Sequence, residues 1–148
     1  MAYAEHDVVI QYDAMGIYAF LLDPRNLPYW REGIESVALV SGAVGAPGSV
    51  YRPALTAGSF PPAAGDFELT AARPGAEIQF QVISGRARVH CGYYLSTHGG
   101  STHVRFALRY RPGVASFLLS AGMRRAMQAQ VVQLEQLKML LEAEQAAA

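Results

Sequence analysis

The chain has 148 residues, the length of one domain with a sizeable core, so residues 1–148 are read as a single unit. Hydrophobic residues make up 51% of it, charged residues 16%, and the formal net charge is zero. That balance excludes a disordered chain, and it supplies no field of either sign to draw nucleic acid or an anionic membrane surface.

In chain order, "DVVIQY" (7–12) is a short β-branched run, and Asp13 follows as an N-cap for an apolar helix from Ala14 to Leu22. Asp23-Pro24 ends that helix, because a residue before proline is pushed out of the α region, and Leu27-Pro28 is expected to keep the chain extended. "IESVALVSG" (34–42) and "GSVYRPAL" (48–55) read as strands. "TAGSFPPAAG" (56–65) has no period and two prolines, so it reads as a loop with Phe60 as its one large apolar residue.

Four further segments alternate between apolar and polar. "DFELT" (66–70) points Phe67 and Leu69 one way; "AEIQFQV" (76–82) does the same with Ile78, Phe80 and Val82. "RARVHCGYYL" (86–95) groups Val89, Cys91, Tyr93 and Leu95, and "THVRFALRY" (102–110) groups Val104, Phe106, Leu108 and Tyr110. This pattern marks antiparallel strands with one dry and one wet face. A two-residue turn at Ser84-Gly85 sets Phe80 against Val89, and a turn centred on His98-Gly99 sets Tyr93 against Val104. After Pro112-Gly113 a helical pattern runs to Glu144, with Met123, Met127, Val131, Leu134, Leu137 and Leu141 in one stripe. Roughly thirty residues at about 1.5 Å each give about 45 Å, enough to cross a six- or seven-stranded sheet.

The order of elements is strand, short helical region, antiparallel strands, long C-terminal helix. With "FLLDPRNLPYW" (20–30), "GGSTHVRFALRY" (99–110) and "LEQLKMLLEAE" (134–144), it resembles the START-like (SRPBCC) superfamily, which includes polyketide cyclases, pathogenesis-related plant proteins and lipid-transfer domains. The resemblance covers nearly the whole chain and implies an α+β helix-grip fold. In it a curved antiparallel sheet of six or seven strands wraps a long C-terminal helix, short helical segments follow strand 1, and a cavity lies between sheet and helix. The broken helix would then plug one end of the grip with Trp30.

The cavity expected from the alternation is uncharged. Its candidate lining is Trp30, Tyr51, Phe67, Phe80, Tyr93, Phe106, Tyr110, Met123 and Met127, with Phe60 covering the entrance. For Trp30 and the methionines ordinary core packing is the stronger reading, and for the tyrosines the two roles weigh equally. Gln130 sits near the centre of the helical stripe and needs a partner there, from protein or ligand. Arg52 is expected on the outer face near Asp66 or Glu68; facing inward, it and Tyr93 would support an enzyme.

The leading expectation is a protein that holds a small hydrophobic or aromatic molecule, as carrier, sensor or sequestering protein. A polyketide aromatase/cyclase-like enzyme and a co-chaperone-like interaction module are the alternatives, the latter marked by exposed apolar helix surface beyond Leu137 and no internal void. No cofactor is implied. His6, His90, His98 and His103 do not converge as metal ligands, and no basic-aromatic cluster suits nucleic acid. The eleven arginines are scattered and make no phosphate-binding patch. Cys91 is the single cysteine, so no internal disulfide forms. With no secretory leader and no long apolar span, a cytoplasmic protein without membrane insertion is expected, and a homodimer is compatible with it.

Overall fold

Seven strands form one antiparallel sheet: β1 (Ala2–Ile10), β2 (Ile34–Ser41), β3 (Val50–Leu55), β4 (Phe67–Arg73), β5 (Glu77–Val82), β6 (Arg88–His98) and β7 (Ser101–Arg111). Their order across the sheet is β1-β7-β6-β5-β4-β3-β2. The computed structural model describes residues 2–58, 65–84, 88–111 and 120–147. Helix α1 (Ala14–Leu22) and a 3₁₀ segment (Pro24–Tyr29) follow β1; α2 (Ser120–Val131) and α3 (Leu134–Ala147) close the chain. This is the helix-grip arrangement, with the stripe of Met127, Val131, Leu134, Leu137 and Leu141 buried against the sheet.

The period-two pattern places the core. Phe67, Leu69, Ile78, Phe80, Val82, Val89, Tyr93, Leu95, Val104, Phe106 and Leu108 are all buried, while Arg88 and Arg109 are exposed on the opposite face. Away from the register shifts in β2 and β4, side chains alternate strictly, and these inward positions carry no charge.

Both hairpins differ from expectation by two residues. Phe80 faces Cys91 and not Val89, and Tyr93 faces Phe106 and not Val104. The second turn is therefore Gly99-Gly100, between His98 and Ser101, with Gly99 at φ +63 as a primed hairpin turn requires. A slip of two keeps every side chain on its own face, so hydrophobic pattern cannot detect it. The tip of the β5–β6 connection, 85–87, lies outside the described residues.

Four other segments depart from the reading. Strand β1 starts at Ala2, five residues before the β-branched run, because its inward positions there are the small Ala2 and Ala4. Leu27-Pro28 lies within the 3₁₀ segment and is not extended. Asp23 caps that segment by accepting from Arg25 N–H at 3.0 Å, and Trp30 N–H donates to the Leu27 carbonyl at 3.1 Å; these local bonds outweigh the pre-proline preference. The C-terminal helix breaks at Val132-Gln133, where Gln133, Glu135 and Gln136 N–H groups bond three residues back and not four. Last, the arginines are less scattered than they read: Arg88 faces Arg111 and His90 faces Arg109 across β6 and β7 on the outer face.

Helix α3 is fastened to β1. Glu135 bonds His6 at 2.6 Å, and Glu142 accepts from Gln11 N–H at 2.8 Å and from Lys138 Nζ at 2.9 Å. The Lys138 ammonium, then the Gln11 amide, hold the Glu142 carboxyl below its ordinary value of 4.5. A lowered folded-state value stabilises the fold above the unfolded value and ceases to do so as pH falls through it. Glu142→Gln is therefore expected to unfold at lower urea than the wild type at pH 7, with the difference shrinking below about pH 4.5.

Candidate functional site

A partly open cavity of about 40 Å³ lies between the inner face of the sheet and the α1–3₁₀ region. Leu21, Pro24, Leu27 and Arg31 line it from one side. Ile34, Pro53, Phe67, Phe80, Val82, Cys91 and Tyr93, from β2 through β6, line it from the other. The C-terminal helix, expected as the second wall, contributes none of these residues, since the 3₁₀ exit intervenes. The cavity lies where the sheet is loosest: β3 and β4 share only the pairs Val50–Glu68 and Tyr51–Phe67, and Pro53 has no N–H to extend the ladder.

Of the expected lining, Phe67, Phe80 and Tyr93 border this cavity. Behind them lies a continuous aromatic layer. Tyr51 stacks on Phe67 with centroids 5.5 Å apart, Phe80 meets Tyr93 edge-on at 6.4 Å, and Tyr93 stacks on Phe106 at 4.8 Å. Trp30 packs edge-on against Tyr93 and Phe106 at 6.1 and 5.9 Å and is fully enclosed, filling the end of the grip. The Tyr51 hydroxyl is already bonded, to Ser49 Oγ at 2.8 Å and Gly45 N–H at 3.1 Å. Met127 is buried in the stripe, and Met123 and Tyr110 are partly buried at its edge. Phe60 lies outside the described residues. Arg52 is exposed on the outer face, with a bidentate pair to Asp66 at 3.0 Å for each bond.

Arg31 is the residue that sequence reasoning missed. It follows Trp30 at the end of the 3₁₀ segment, is only 7% exposed, and lines the cavity. Its Nη2 donates to Gln130 Oε1 at 2.8 Å and its Nε to Gln133 Oε1 at 3.2 Å. Gln133 Oε1 also accepts from Glu32 N–H at 3.0 Å. The guanidinium carbon lies 5.5 Å from the Trp30 ring centre and 5.2 Å from that of Phe106. The signal was indirect: Gln130, isolated in an apolar stripe, required a partner, and Arg31 is that partner.

The two titratable groups beside Arg31 are neutral at physiological pH. Burial raises the Tyr93 hydroxyl well above its ordinary value of 10, assisted by Cys91 and opposed by Arg31. Burial likewise pushes the Cys91 thiol up to about 11, again against the Arg31 charge. Among the described residues the cavity is lined by a guanidinium, a hydroxyl, a thiol and apolar walls, with no carboxylate or imidazole.

A curved sheet gripping a C-terminal helix, with a largely apolar hollow at one end, defines the class. The chain belongs to the polyketide cyclase/dehydrase and lipid transport family, whose profile matches residues 1–142. Solved structures share the fold. A protein of Thermus thermophilus is 16% identical with TM-score 0.73, over 96% of this chain and 98% of its own. The Aha1 dimer from Colwellia psychrerythraea is 21% identical with TM-score 0.66, over 96% and 97%. Ginseng major latex-like protein 151 from Panax ginseng is 17% identical with TM-score 0.65, over 92% and 97%. No curated protein matches the sequence.

The raised Cys91 value gives a direct test. A thiol titrating near 11 carries little thiolate at pH 8, so alkylation by iodoacetamide is expected to run on the order of a hundredfold slower than for free cysteine. Its rate should climb with pH until the fold opens.

Proposed function

We propose that the protein holds a small hydrophobic or aromatic molecule in the cavity between the sheet and the α1–3₁₀ region, as a carrier, sensor or sequestering protein. The observation that supports this most directly is a cavity walled by Phe67, Phe80, Val82, Leu21 and Leu27, with no carboxylate or imidazole among its described lining residues. A room of about 40 Å³ exceeds the roughly 10–15 Å³ that one water occupies. Entry of a ring-sized guest then requires the half-buried Leu27 side chain to turn toward solvent, a fast rotamer change. Affinity comes mainly from desolvation, at about 25 cal/mol per Å² of apolar surface removed from water.

The aromatase/cyclase alternative, which the family's name allows, leaned on an inward Arg52; the bidentate pair to Asp66 gives it no such support. The interaction-module alternative leaned on exposed apolar surface beyond Leu137. There Met139 is 65% exposed while Leu141 is buried, a single side chain and not a patch. No helix among the described residues is long and apolar enough to cross a membrane. The proposed setting is the cytoplasm, and pairing of two copies, as in the Colwellia protein, is compatible with a ligand held inside each one.

Native mass spectrometry of the purified protein should show a retained small molecule or uptake of an added neutral aromatic such as 2-naphthylmethanol. Leu27→Trp, which fills the mouth from a half-exposed position, is expected to weaken that uptake about tenfold with little change in melting temperature. Equal uptake by both proteins would overturn the placement of the site.

A further inference from the structure

Arg31 is a buried cation without a counterion. Twelve Asp and Glu residues occur in the sequence, all of them among the described residues, and none forms an ion pair with it. Its protein partners are two neutral amide oxygens and two ring faces. Isolating a charge from water costs several kcal/mol, and an apolar side chain of similar volume would serve the packing at least as well. Stability alone does not account for an arginine here.

One buried donor in this cluster has no acceptor, and Arg31, which borders the cavity, also interacts with the Tyr93 hydroxyl. Gln130 is 5% exposed; its Oε1 is used by Arg31, while its Nε2 is buried with no partner. Gln130 and Gln133 fix the guanidinium plane through Nη2 and Nε, so that a planar anion entering the cavity would meet the guanidinium beside the Tyr93 hydroxyl and near the unpartnered Gln130 amide. No acidic side chain lines the cavity to repel one, and the Tyr93 and Cys91 side chains stand beside Arg31 as neutral neighbours.

Resting on the ligand-binding reading above, we propose that the ligand is a carboxylate: a small aromatic or apolar acid whose carboxylate pairs with Arg31 and whose body lies against Phe67, Phe80 and Tyr93. Arg31 is the specificity-determining residue and Gln130 positions it. The guanidinium selects the anion over its neutral analogue, and the apolar wall supplies the rest of the affinity.

The lone tryptophan lies beside the guanidinium, so its fluorescence reports binding. The test titrates the purified protein with 2-naphthoate and with 2-naphthylmethanol, which share a ring system and differ in the charged group, and repeats both by calorimetry. The wild type is expected to prefer 2-naphthoate by about tenfold or more, the scale of one charge-assisted hydrogen bond. In Arg31→Met the ratio of the two affinities should fall to near one, and Arg31→Lys should restore part of it. A merely structural Arg31 would not move that ratio. If both compounds bind the wild type equally, the carboxylate proposal fails and the cavity reading stands. If neither binds, both fail. Should Arg31→Met not fold, the wild-type ratio alone decides.

Discussion

A sheet with one dry face tolerates no stray charge on it, and that constraint organises this molecule. From Phe67 to Tyr110 the strands send Asp, Glu, Arg and His outward wherever they alternate. The inner wall is left with rings, aliphatic groups, one thiol and one buried threonine hydroxyl. A charge can therefore reach the interior only from a segment that is not a strand. Arg31 does so from the end of the 3₁₀ segment, where backbone direction is free of period-two alternation.

The same arginine links the parts of the grip. Gln130 and Gln133, three residues apart, present two amide oxygens toward the chain exit at Trp30-Arg31. Three acceptor bonds result, two from Arg31 and one from Glu32 N–H. The helix tightens to three-residue hydrogen-bond spacing at this place. Trp30 and Phe106 then close over the guanidinium, so a polar joint is set inside an aromatic layer. Such joints hold position well because each partner is desolvated, and few alternative arrangements satisfy them.

What the sequence made legible was decided by period and by steric rules. The alternating runs from 66 to 110 identified which side chains are inward. The Asp13 cap and Asp23-Pro24 stop bounded α1 at the observed residues. Register was not legible to better than two residues, since Phe80 opposite Val89 and Phe80 opposite Cys91 are equally apolar pairings. The start of β1 was hidden by alanines, and the 3₁₀ run by two prolines whose local bias was overruled by hydrogen bonds. The lining of the candidate cavity was only partly legible. Phe67, Phe80 and Tyr93 follow from alternation, but Arg31 belongs to no periodic element, and nothing in its local sequence distinguishes it from the other arginines. Only the unexplained Gln130 pointed toward it.

The interruption at Val132-Gln133 divides the C-terminal helix into unequal mechanical parts. Beyond it, α3 is pinned along β1 by Glu135, Lys138 and Glu142. Before it, α2 meets the same sheet mainly through apolar packing, which has no directional lock. A rod with an unbroken hydrogen-bond ladder would have to shift as one piece. This one is interrupted, and Arg31 spans the interruption by bonding Gln130 before it and Gln133 within it.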